Sequence, residues 1–167
     1  MCGPNLPRPS LGGALAVLNS PSGENRSPVP TLCGSLVFHS PRSGASSSIA
    51  THATFTPLLR SGSVHQDTSG DEEEVDMADY VVGIHASGDL LKPAFQSPIL
   101  HHFGFREGVI TANNRPTSRA ETEILLTTPL EIGVGGDGII GRRVTVWRRS
   151  GIADGEFPVA EGIVGYN

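Results

Sequence analysis

The sequence predicts a disordered N-terminal region followed by a small, mostly antiparallel β domain, α+β in class if one short helix forms. Three observations carry this prediction. Aromatic mass is concentrated in the second half; short β-branched runs there are separated by Gly, Pro, Asn and Asp; and an acidic run divides the two halves.

Residues 1–66 read as a disordered Ser/Pro/Gly/Arg-rich segment. Phe38 and Phe55 are its only aromatics, too little apolar surface to offset an ordering cost of about 1–2 kcal/mol per residue. Two apolar patches interrupt it, residues 11–18 (LGGALAVL) and 32–38 (LCGSLVF). The segment carries four arginines against Glu24 alone, a charge of +3. A Ser- and Arg-rich stretch so poor in acids also has the composition of a transit peptide, so plastid or mitochondrial import is the targeting alternative. A secretory signal fits less well, because the first patch is short and contains Gly12 and Gly13. Ser20, Ser27 and Ser40 each precede proline and are candidate sites for proline-directed kinases. His39, His52 and His65 recur every 13 residues in unlike surroundings, and the spacing reads as coincidence.

Residues 67–77 form an acidic linker. Seven carboxylates between Asp67 and Asp79, with no base among them, repel one another and favour a solvated, extended chain. Thr68 and Ser69 stand three residues before Asp71 and Glu72, the pattern an acidophilic kinase reads. Phosphate there would add about 1.5 to 2 negative charges per site. Asp67-Thr68-Ser69-Gly70 lacks the buried strand an aspartic protease dyad requires.

Residues 78–167 form the expected β-rich domain. Strands are predicted at 80–84, 108–112, 130–134, 139–147 and 159–164. One short helix is predicted over 119–127, where Ser118 and Glu121 make a capping box and Pro129 ends the run. Thr122, Thr127 and Thr128 keep a strand open as the alternative. Residues 133–138 (GVGGDG) match a phosphate-cradling GxGxxG string. The β-branched residues that follow deny it the helix N-terminus such a site uses, so a glycine-rich hairpin turn is expected.

Arg142, Arg143, Arg148 and Arg149 bracket Val144-Thr145-Val146-Trp147. Strand alternation puts Arg143, Thr145, Trp147 and Arg149 on one face, and Arg142, Val144, Val146 and Arg148 on the other. An indole between guanidinium groups suits stacking on single-stranded nucleic acid. The competing expectation is that Trp147 is core and the arginines answer acids such as Glu131, Asp137, Asp154 or Glu156.

No catalytic residue is nominated, because His85, Ser87 and Asp89 alternate along an extended run at about 6–7 Å, beyond hydrogen-bond reach. No metal site and no cofactor are expected, since no cysteine follows Cys33 to complete a zinc set. No apolar run approaches the roughly 20 residues of a membrane-spanning helix. The expectation is a soluble, intracellular, non-catalytic interaction or accessory protein that presents a β surface to a macromolecular partner. The alternatives are weak nucleic-acid or anion binding through the Arg/Trp strand, an imported small factor or enzyme, and a reading frame without a stable function.

Overall fold

A computed structural model describes residues 12–21, 32–41, 48–58, 79–105, 121–149 and 156–167. These form eight strands: β1 (Ala14–Leu18), β2 (Gly34–His39), β3 (Ile49–Pro57), β4 (Tyr80–His85), β5 (Ile99–Gly104), β6 (Thr122–Glu131), β7 (Arg143–Arg149) and β8 (Glu156–Tyr166). They hydrogen-bond in the order β5-β4-β7-β8-β1-β2-β3-β6, antiparallel throughout, and curl into a nearly closed barrel. The described residues contain no α-helix; the short 3-10 turn Ala94–Gln96 is as close as they come.

The first correction concerns residues 1–66, which contain three strands rather than only disordered chain. β1 and β2 grow from the two apolar patches, and β3 alternates Ala53 and Phe55 inward with Thr54 and Thr56 between them. What composition missed is that these strands need not bury a core alone. β1 pairs with β2 on one side and β8 on the other, so its apolar face meets side chains supplied about 150 residues later in the chain.

The interior is filled by side chains. Phe38 on β2 meets Phe103 on β5 edge to face, with ring centroids 6.4 Å apart. Phe55 on β3 meets Phe105 just beyond β5 in the same way at 5.7 Å. Leu18, Leu36, Ile84, Ile124 and Val146 complete a single dry core.

The second correction is the helix at 119–127: Thr122–Glu131 is strand β6. Its register with β3 sets Ile124 opposite Ala53 and Leu130 opposite Ala50, which buries alternate residues and overrides the capping box. The third concerns the glycine cluster, which is a compact loop and not a hairpin turn. It joins β6 to β7, which are not neighbours in the sheet. Gly135, Gly136 and Gly141 take positive φ, and the loop folds on itself through Gly138 N–H to Gly135 O and Ile140 N–H to Gly133 O. Ile132 and Ile139 thereby enter the core and cap one end of the barrel. The strand expected at 130–134 is the end of β6 plus this loop, and the one expected at 139–147 begins only at Arg143. Residues 108–112 and the whole acidic linker, 67–77, lie outside the described residues.

If β2 belongs to the core, Phe38→Ala destabilises the protein by about 3–5 kcal/mol, whereas Val17→Ala at an exposed β1 position changes stability by less than about 0.5 kcal/mol. Urea midpoints at an unchanged slope measure both. A Phe38→Ala effect as small as that of Val17→Ala would place β2 outside the barrel.

Candidate functional site

Two places gather polar or unpaired groups: the outer face of β7 under a covering segment, and the seam between β5 and β6.

β7 alternates as its sequence predicts. Val144 and Val146 enter the core, while Arg143, Thr145 and Trp147 face outward. That outer face is covered, because residues 86–98 run across it as a strap. Arg143 is 1% exposed. One of its terminal nitrogens pairs with the Glu161 carboxylate on β8. The other donates to the backbone oxygens of Lys92 at 2.6 Å and Asp89 at 3.3 Å, both on the strap.

His85, fully buried beside this pair, bridges the same elements. Its Nδ1 lies 2.9 Å from Ser97 O and its Nε2 lies 3.0 Å from Thr145 Oγ1. A carbonyl only accepts, so Nδ1 carries the proton and the threonine hydroxyl donates to Nε2. Burial pushes the His85 pKa below its ordinary value and Arg143 adds to this, while the Ser97 carbonyl and Glu161 oppose it.

The five binding candidates of the Arg/Trp strand therefore separate into different environments. Arg142 staples the glycine loop, donating to Gly138 O, Gly136 O and Ala86 O. Arg143 is in the buried pair. Trp147 is 6% exposed, and its Nε1 has no hydrogen-bond partner among the described residues. Arg148 is half-buried near Tyr80, whose hydroxyl burial pushes up and Arg148 pulls back. Arg149 forms a surface pair with Glu156 at 3.4 Å, a kind of contact worth about 0–1 kcal/mol. A stacking platform needs an open ring face. Trp147 and Arg143 are both buried on this strand.

The other sequence candidates are quickly placed. Ser87 Oγ accepts from Asp89 N–H, and Asp89 Oδ1 accepts from Leu91 N–H, a turn in the strap. Ser20 and Ser40 are half-buried just beyond the ends of β1 and β2; Ser27, Thr68 and Ser69 lie outside the described residues. The β2–β3 register sets His39 opposite His52, with rings stacked at 4.9 Å and 16°. A spacing that looked accidental is thus a cross-strand contact, although two imidazoles do not complete a zinc site. The described residues hold no cluster of three or more metal-ligating side chains.

The seam was not foreseen. β5 and β6 are the two ends of the strand order, and they face each other across a cavity of about 220 Å³ lined by Leu100, His101, His102, Phe103, Leu126, Thr127, Thr128 and Leu130. The gap has a local cause. β6 pairs with β3 at Leu125↔His52 and again at Leu130↔Ala50, so residues 126–129 bulge out of register. Pro129 adds a residue that cannot donate to a neighbouring strand. Thr127 and Thr128 are exposed within the bulge. Patterning gave no signal for β5, where the two central histidines mask the alternation.

Two outcomes follow for the buried polar layer. Glu161→Ala leaves Arg143 without its carboxylate partner and costs about 3–5 kcal/mol in denaturant unfolding; a change below about 1 kcal/mol would show that the pair is not buried in solution. Because the folded-state pKa of His85 is lowered, the unfolded chain takes its proton first as pH falls. The His85 contribution is present above the unfolded value of about 6.5 and is lost as pH drops below it toward the lowered folded value. The denaturation midpoint falls accordingly over that window, and His85→Gln flattens the fall; parallel pH profiles for the two proteins would exclude His85 as the cause.

Comparison of the chain with protein-family models and with curated proteins finds no match in either.

Proposed function

We propose that this protein is a non-catalytic interaction module whose open barrel seam receives an extended segment of a protein partner. The supporting observation is the pair of terminal strands, β5 and β6, facing each other across a cavity with no strand between them among the described residues. An edge strand carries a row of backbone donors and acceptors, and the chemical complement of that row is another extended main chain.

The two edges are not equivalent. β6 is bulged over four residues and carries Pro129, which blunts it, whereas β5 holds its register with β4 from Val81↔Gly104 to Ile84↔His101 and slips by one residue only at Leu100. β5 is therefore the edge that templates an added strand. Inside the seam, buried Phe103, Leu126 and Leu130 give the cavity an apolar floor. Its volume, about seven waters' share of liquid, suits one large apolar side chain of the incoming segment. On the outer surface, exposed Ile99 and Leu125 flank the opening.

Position-specific photo-crosslinking tests this. A photo-crosslinking amino acid replacing Leu125 at the seam yields adducts with a polypeptide partner that the same residue replacing Val17, exposed on β1 at the far side of the sheet order, does not. Equal adducts from the two positions, or none from Leu125, would remove the seam as the contact surface.

A further inference from the structure

We infer that the segment taken by the seam is basic: an extended peptide with apolar side chains on its inward face and lysine or arginine on its outward face. This rests on the reading that the seam accepts a strand, and it follows from the charge of the walls. β5 (ILHHFG) and β6 (TEILLTTPLE) contain no Lys or Arg, while β6 carries Glu123 and Glu131, with Glu121 exposed just before it. Register fixes where these point. Glu123 lies opposite Thr54 and Glu131 opposite exposed Ile49, so both stand on the outer surface, while the alternate residues Ile124 and Leu130 point into the core.

β5 and β6 approach within 8 Å over part of the seam, less than the roughly 9.5 Å of two strand spacings, so an entering strand spreads them. Once seated, it brings its outward side chains within about 4.5–5.5 Å of those on a neighbouring strand, close enough for opposite charges to attract and like charges to oppose. A second copy of this chain is a poor occupant. It brings the same glutamates in a molecule of net charge −5. The phosphates of a nucleic acid meet the same repulsion. The inward face must be apolar, because Phe103, Leu126 and Leu130 line the cavity floor.

The probe is a capped, fluorescently labelled peptide alternating valine and lysine, six residues long to match β5. Its valine–glutamate counterpart and a backbone N-methylated valine–lysine version serve as comparisons. Binding is read by anisotropy, and its place by hydrogen exchange of β5 amides. The lysine peptide binds on the order of tenfold more tightly than the glutamate peptide, as two exposed charge pairs would give. It slows exchange on β5 and loses binding on N-methylation. The surface variant Glu123→Lys/Glu131→Lys reverses the preference. Equal affinity of the lysine and glutamate peptides, with β5 still protected, overturns the basic-partner inference and leaves strand addition intact. Absence of β5 protection by either peptide, or binding that survives N-methylation, overturns strand addition itself.

Discussion

The barrel depends on the five residues of β1. Ala14–Leu18 joins β2 on one edge and β8 on the other, and without it the sheet falls into two pieces, β5-β4-β7-β8 and β2-β3-β6. The junction is made of small residues. Ala14 and Ala16 on β1 and Ala160 on β8 are fully buried, and Gly162 lies so close to the Val17 carbonyl that a side chain there would strike the backbone. Small inward side chains at this wall leave interior volume for Phe38, Phe55, Phe103 and Phe105, which supply the bulk of the packing. Alternation of small and large residues around the circumference is how a narrow barrel fills without a lumen. The arrangement has a kinetic consequence too. Contacts between β1 and β8 join residues far apart in sequence, as in Ala14↔Tyr166, and loop closure over such separations slows folding.

A second layer lies outside the first, on β4, β7 and β8. Its polar groups are expensive to bury, and most are paired: Arg143 with Glu161 and two strap carbonyls, His85 with Ser97 and Thr145. Among the described residues, Arg143 Nε and Trp147 Nε1 have no partner, and an unpaired buried donor costs about 1–3 kcal/mol. Trp147 closes over Gly83 beside Ile99, where a β-carbon on residue 83 would meet the indole nitrogen at 3.3 Å. Gly83 is thus set by the indole, a long-range reason for a glycine inside a strand.

Sequence patterning reads best where both partners of a contact lie close in the chain or where alternation is clean. β4, β7 and β8 satisfy this, and the division of β7 into a valine face and an Arg143/Thr145/Trp147 face is correct down to the side chain. The environment of that second face was not legible, since nothing local says that residues 86–98 fold back over it. β1 to β3 were hidden for a related reason. Alanines and glycines that make a tight wall look like low complexity until the phenylalanines that use the space are known. β6 was hidden by a real helix signal at Ser118 and Glu121, which counts for less than the pairing with β3. The His39–His52 stack follows only from a register that no local rule supplies.

The open seam is the feature least predictable from composition and the one with the most chemical consequence. An unpaired edge is a hazard that proteins ordinarily blunt with charge, proline or a bulge. Here the precautions are unequal, although β5 too has one residue out of register, Leu100. β6 has all three, in Glu123, Pro129 and the irregular stretch at 126–129, whereas β5 has neither proline nor formal charge. If the opening were only a packing defect, both edges would be expected to carry protection, or the bulge in β6 to be absent so that the strands could zip together. The irregularity in β6 is the larger, since β5 leaves its register with β4 only at Leu100; on the proposed reading this makes β5 the more receptive edge. On the same reading, the apolar floor and acidic outer wall would limit what can settle there: a strand that lacks either complement would lose contacts on one face and gain repulsion on the other.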